Sequence, residues 1–179
     1  MELIAFVIAV MLFAAVTPMA ASRKRGETQK ILGKMLLDEQ FVTSSVIDIG
    51  AMSLYLDRMN DKFFLRKTRT DLVIEILSLH DVTGVQVLDD GTRIFAAANG
   101  RITTDLLFSG DSPELLKKSS SCEKLQIAVY FHNNYAPDLL IPVVDEPISR
   151  RFFAYREALA LTKTVTEIFA AACGCTILH

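Results

Sequence analysis

The rhythm of apolar and polar positions changes three times along the chain. Leu3 to Ala21, LIAFVIAVMLFAAVTPMAA, carries no charged residue. As a helix it would be about 28 Å long at 1.5 Å per residue, enough for the hydrocarbon core of a bilayer. Pro18 falls in its last turn, where a helix end is tolerated. Residues 27–42, ETQKILGKMLLDEQFV, put Ile31, Met35 and Phe41-Val42 roughly on one helical face, with Lys30, Lys34 and Asp38 elsewhere. Gly33 is the weak point of that helix. From Ser53 the period becomes two. SLYLD alternates Leu54 and Leu56 against Tyr55, Asn60-Asp61 supplies turn chemistry, and KFFLRK returns as the partner strand of a hairpin.

The strand period continues through TDLVIEILSL (70–79) and TGVQVLDDGTRIFAAA (83–98), where Asp90-Gly91 marks a second hairpin. Residues 99–124 hold Gly100, Gly110, Pro113 and Ser119 to Ser121 and read as a long polar connection. KLQIAVYFHNN and DLLIPVV form a further strand pair around Asn133-Asn134, and Pro142 puts the second of them at a sheet edge. From about Ser149 the period lengthens to that of a helix. Phe153, Leu161, Val165, Ile168, Phe169 and Ala172 make its apolar stripe, Arg156, Glu157, Lys163 and Glu167 face water, and Gly174 ends it. A single amphipathic helix after a run of antiparallel strands buries its stripe against a sheet. The expected fold is α+β: an N-terminal transmembrane helix, then an antiparallel sheet or partial barrel closed by the C-terminal helix. The divisions are residues 1–22 (anchor), 23–44 (juxtamembrane helix and linker) and 45–179 (soluble domain).

The flanks of the apolar stretch decide how it is expected to sit. The basic cluster Arg23-Lys24-Arg25, followed by Lys30 and Lys34, lies on its C-terminal side, while Glu2 is the charged side chain ahead of it. The positive-inside rule then keeps the C-terminal portion in the cytoplasm, on a single-pass inner or plasma membrane protein. Those five basic residues would meet anionic lipid headgroups. A cleaved signal peptide, with TPMAAS near the cleavage point, is the competing reading and would leave a secreted domain.

Composition narrows the functional classes. The 179 residues allow one ordinary domain with an appendage. A net charge of −2 gives no global reason to expect nucleic acid as partner. Three cysteines, Cys122, Cys173 and Cys175, form no disulfide framework and fit a reducing compartment. The chain has no phosphate-binding glycine loop, nucleophile elbow or H-E-x-x-H, and no paired clusters at metal-ligand spacing. His80-Asp81 is adjacent in sequence, but neighbours along a strand point to opposite faces. His132 stands at a strand end without a second ligand nearby. Cys173-Gly174-Cys175 admits soft-metal binding, a redox pair or acylation, or the plain end of a helix. Arg66, Lys67 and Arg69 are the densest basic group within the domain and the candidate partner-binding residues, with a solvated turn as the plainer reading.

The succession LYLD…KFFLR, EILSLHDVTGVQVLDDG, LQIAVYFHNNYAPDLLIPVV and FFAYREALALTKTVTEIFAAA resembles small bacterial and prophage-encoded proteins of unknown function that carry a pleckstrin-homology-like domain, similar to bacterial PH and GRAM modules. The resemblance covers roughly Ser53 to Ala172, and Tyr155 and Ala158 match the Tyr-x-x-Ala of the family's final helix. Many relatives insert a Gly-rich hydrophobic hairpin mid-domain, where residues 99–124 here are polar. The resemblance implies a helix-capped barrel and a binding or scaffolding role, without naming a ligand.

The expected function is therefore a membrane-tethered, non-enzymatic binding or scaffold module with a protein partner and no cofactor, metal or catalytic residue. The alternatives are an oligomerising membrane-active or assembly protein, with Ala9, Ala14 and Ala15 permitting close helix approach, a secreted domain, and an enzyme built from scattered acidic residues and His80.

Overall fold

The computed structural model describes residues 30, 32–68, 75–108, 120–131 and 137–177. A short helix, α1 (32–38), precedes a first sheet of four strands: β1 (Ser45–Ile49), β2 (Met52–Asp57), β3 (Lys62–Lys67) and β4 (Leu77–Ser78). A 3-10 turn, Leu79–Asp81, leads to β5 (Val82–Asp89), β6 (Thr92–Ala98) and β7 (Arg101–Asp105). Then come β8 (Ser121–Cys122), β9 (Leu125–Phe131), β10 (Leu139–Val144), β11 (Ile148–Ser149) and the helix α2 (Phe153–Ala172). The first sheet runs β1-β2-β3-β4, the second β10-β9-β5-β6-β7, and β8 pairs with β11 alone. Every pairing is antiparallel.

Turn chemistry sets the registers. Asp90 and Gly91 take φ of 49° and 77°, and Asn99 and Gly100 take 49° and 76°. Two successive positive-φ residues match the right-handed twist of the flanking strands, so each pair closes a tight two-residue hairpin, Asp89 opposite Thr92 and Ala98 opposite Arg101. In the centre of the second sheet, a Cβ on Gly84 would come within 3.2 Å of the Ala97 carbonyl oxygen, so glycine there permits close strand approach.

Both sheets and α2 share one core. Phe63 of β3 lies 5.2 Å edge-on from Phe169 of α2 and 6.3 Å from Phe131 of β9, measured between ring centroids. The first sheet also buries part of its other face. Val46, Tyr55 and Phe64 form one cross-strand row, in which Tyr55 stacks on Phe64 at 4.5 Å and Phe41 covers Phe64 at 5.1 Å.

Phe41 is held there by the end of α1 and by Asp57. At that helix end the Gln40 N–H bonds to Leu37 O and the Phe41 N–H to Leu36 O, with Gln40 at a φ of 53°. This is a Schellman cap, whose hydrophobic residue is Phe41. Asp57, fully buried, accepts from the N–H of Val42 at 2.7 Å, Met59 at 3.1 Å and Asn60 at 3.2 Å, and from Asn60 Nδ2 at 2.7 Å. The same Asn60 amide reaches Gln40 O, and Lys62 bonds both Glu39 O and the Glu39 carboxylate. The β2–β3 turn is thus the dock for the segment that follows α1.

Several expectations need correction. The transmembrane span over residues 1–22 lies outside the described residues, and among those described no helix is long and apolar enough to cross a membrane. The single-pass anchor, the inner-membrane placement and the membrane-tethered reading are withdrawn with it. Nor do the described strands close into a barrel: they form separate sheets. β5 sits between β6 and β9, because the chain returns after β7 to the opposite side of β5. Within 70–79 the described pairing is limited to Leu77–Ser78, and the segment read as a polar connection contains β7 and β8. In α2, Phe153 is exposed, and the buried set is Tyr155, Thr162, Val165, Thr166, Phe169 and Ala170.

Burial works against the charge of Asp57, but its bonds from Val42, the Asn60 side chain, and the Asn60 and Met59 amides outweigh it and hold the carboxyl below its ordinary value. A lowered folded-state pKa contributes stability that is complete above the unfolded value, near about 4, and is lost as pH falls through the folded one. Asp57→Asn should therefore cost about 2 kcal/mol or more at neutral pH. It should also flatten the loss of stability on acidification, as read from urea midpoints of both proteins between about pH 6 and pH 3.

Candidate functional site

The densest polar chemistry in the described residues gathers at the N-terminal end of α2. Asp89 ends β5 and Asp90 opens the tight turn that follows, so their carboxylates project from adjacent backbone positions. Arg150 follows β11, and its guanidinium grips both. Nη1 and Nη2 each bond an Asp89 oxygen, the Nη2 contact at 2.7 Å, and Nη2 also reaches Asp90 Oδ2 at 2.7 Å. Nη1 donates to the Tyr155 hydroxyl at 2.8 Å, which in turn donates to Asp89 Oδ2 at 3.0 Å. Arg150 Nε donates to Ser121 O at 3.2 Å, and the Cys122 thiol points at Asp89 Oδ1 at 3.4 Å. Asp90 Oδ1 accepts the backbone N–H groups of Glu123 and Lys124, each at 2.8 Å.

Asp89, Arg150, Tyr155 and Cys122 are all essentially inaccessible to water. A planar guanidinium matched to a carboxylate in two parallel bonds is the strong form of this interaction. Its hydrogen bonds to Asp89 raise the Arg150 pKa further, against the opposing effect of burial. Burial, and then the Asp89 charge, hold the Tyr155 phenol above its usual range and push the Cys122 thiol up to about 12. Asp89, Asp90 and Cys122 place ligating atoms within 4.8 Å of one another, a grouping that could hold a cation. The Arg150 guanidinium already supplies positive charge to both carboxylates, and Cys122 presents a protonated thiol rather than a thiolate. This donor set favours a structural clasp.

The clasp fixes what lies between its members. Arg150 and Tyr155 are buried, whereas Arg151, Phe152, Phe153 and Ala154 are all exposed. Phe152 is 68% exposed and Phe153 73%, side by side at the start of the helix. Phe152 occupies the N-cap position without a side-chain capping bond, and the first turn holds no acidic residue. The positive end of the helix is therefore not neutralised by its own first turn.

The basic residues singled out from the sequence lie elsewhere. Arg23, Lys24, Arg25 and Arg69 are outside the described residues, and Lys30 and Lys34 are exposed on the α1 segment. Arg66 is half-buried on β3 opposite Ser53, and Lys67 is exposed at the strand end. None of the described members joins the Arg150 cluster. His80, in the 3-10 turn after β4, pairs with Asp61 of the β2–β3 turn, at 3.2 Å from Nε2 to Oδ2. His132 is outside the described residues. Cys173 and Cys175 flank Gly174 at the end of α2, their sulfurs 3.7 Å apart. The aspartates of the clasp were visible in sequence only as turn residues, and Tyr155 only through the Tyr-x-x-Ala resemblance. Arg150 has no local charge signal, because its acidic partners stand 60 and 61 positions away.

Arg150→Met should destabilise the fold by about 3–5 kcal/mol, since it leaves Asp89 buried without its counter-charge. Asp89→Leu combined with Arg150→Met should cost less than the sum of the two single changes in a urea-denaturation double-mutant cycle.

No family model, curated protein or solved structure matches this chain.

Proposed function

We propose that this chain is a non-enzymatic protein-binding module and that Phe152 and Phe153 are its recognition anchors. The observation that carries the reading is the position of this exposed aromatic pair between two buried, hydrogen-bonded residues, Arg150 and Tyr155. Single exposed apolar side chains are ordinary on protein surfaces, but two adjacent phenylalanines on a fixed backbone offer a contiguous anchor. Fully covering a phenylalanine side chain contributes about 1.5–3 kcal/mol. A backbone already held by the clasp loses little further freedom on binding, so more of that energy appears as affinity. Aromatic side chains, phenylalanine among them, are enriched at interface cores.

The surroundings indicate what the partner brings. Arg151 stands beside the pair, and the uncapped positive end of α2 opens at the same place. An apolar pocket with an acidic rim complements both features. The clasp's role is to position these residues: its acid, its base and its thiol are consumed in holding the loop.

The test replaces Phe153 with a photo-crosslinking phenylalanine analogue in the full-length chain, expressed in its native cells. A discrete covalent adduct is expected at this position, absent when the same analogue stands at the exposed Arg93, and lost when Phe152 is changed to Ala. Absence of any adduct, or the same adducts at both positions, overturns the reading. With the partner identified, Phe152→Ala and Phe153→Ala should each weaken binding by about 10-fold or more. Their urea midpoints should stay within about 0.5 kcal/mol of wild type, as expected for exposed side chains.

A further inference from the structure

The far end of α2 carries a second grouping that the binding reading does not use. Cys173, Gly174 and Cys175 terminate the helix in a Schellman cap: the Gly174 N–H bonds to Ala171 O at 3.0 Å and the Cys175 N–H to Ala170 O at 2.8 Å. Gly174 takes the left-handed conformation this requires, at a φ of 78°. The chain reversal folds Cys175 back over the last turn, and the two sulfurs come to 3.7 Å, each largely buried. The single hydrogen of the Cys173 thiol can be directed to Ala170 O, at 3.3 Å, or to the Cys175 sulfur. Small apolar residues would serve a helix end equally well as packing. Two thiols aimed at each other across the cap add a chemistry that packing does not need.

We propose that Cys173 and Cys175 are a reversible dithiol–disulfide site, oxidised by a peroxide and returned to dithiol by a thiol reductant. Cys175 is assigned as the attacking sulfur, because a thiolate there can accept the Cys173 S–H. As thiolate it attacks one oxygen of hydrogen peroxide, cleaving the O–O bond and becoming a sulfenic acid, while the released hydroxide takes up the proton that the thiol gave and leaves as water. The Cys173 sulfur then attacks the Cys175 sulfur, loses its proton and expels the second water as the S–S bond forms. The chain loses two hydrogens, and the sulfurs close from contact distance to about 2.05 Å. Burial and the bond to Cys175 push the Cys173 thiol up to about 12, which suits a resolving partner that stays protonated until the sulfenic acid forms. Cys122 cannot replace either sulfur. It contacts Asp89 beside Tyr155, and the 18 helical residues from there to Cys173 span about 27 Å.

Closure has a structural readout. The Cys173 carbonyl accepts the Gly100 N–H at 2.9 Å, so the cap is tied directly to the β6–β7 turn. Drawing the sulfurs together shifts this carbonyl and loosens or tightens that bond.

The experiment treats the folded full chain with hydrogen peroxide and maps the products by mass spectrometry. A loss of about 2 Da is expected, confined to the peptide holding residues 173–175 and reversed by dithiothreitol, with a changed exchange rate at the Gly100 amide. Cys173→Ser should trap a dimedone-reactive sulfenic acid at Cys175, whereas Cys175→Ser should yield none at Cys173. The proposal is overturned if the folded protein keeps both thiols under peroxide that oxidises the same chain in guanidinium. Equal trapping in both variants would overturn the assignment of the attacking sulfur.

Discussion

A carboxylate and a guanidinium buried together, Asp89 and Arg150, set the geometry on which the rest of the described structure depends. Removing both charges from water is costly, and the pair persists only because almost every donor and acceptor around it is matched: two bonds between the ions, one each to Asp90 and Ser121, two to Tyr155, and the Cys122 thiol on the remaining side. Such a pair adds less to net stability than apolar packing would. Its effect is to specify position. A guanidinium fork accepts one orientation of its carboxylate, so the end of β5, the β8 strand and the first turn of α2 have a single mutual arrangement.

Asp57 works by the same principle without a cation. It turns a buried carboxylate toward backbone N–H groups and so brings the end of α1 onto the β2–β3 turn. Asp90 does likewise with Glu123 and Lys124. In each case a short acidic side chain satisfies amides that no ladder reaches, because loops leave the N–H groups of their tips unpaired. Both described helices end in Schellman caps, which draw Phe41 and Cys175 back toward the helices they follow. Acidic anchors and helix caps thus place the connections, while the apolar core joins the sheets.

The consequence for function is a division of the α2 region. One face of its middle, Thr162, Val165, Thr166, Phe169 and Ala170, is buried in the core. Its first residues are flanked by the clasp but remain outside the core, so a phenylalanine pair is exposed between two hydrogen-bonded residues. Its last residues bring two thiols into contact. The proposed binding surface and the proposed dithiol site lie at opposite ends of one helix.

The sequence alone determined the local periods and turns. Alternation in SLYLD, the Asn60-Asp61 turn and the returning KFFLRK specified the β2–β3 hairpin, Asp90-Gly91 the β5–β6 turn, Pro142 an edge strand and Gly174 the end of α2, since each follows from backbone preferences of a few adjacent residues. Asn99-Gly100 carried an equally strong hairpin signal, masked by the polar residues that follow it. Tertiary structure decided the rest. The helical period identified a stripe in α2 but not that Phe153 lies beyond the core, because this depends on where Arg150 and Tyr155 pin the first turn. Strand order within the second sheet depended on which side of β5 the returning chain could pair, and alternation along a strand does not encode its neighbour. The clasp itself joins positions some 60 residues apart. No local pattern signals such a pair, since charge complementarity acts through space and acquires its strength only when folding removes the water between the partners.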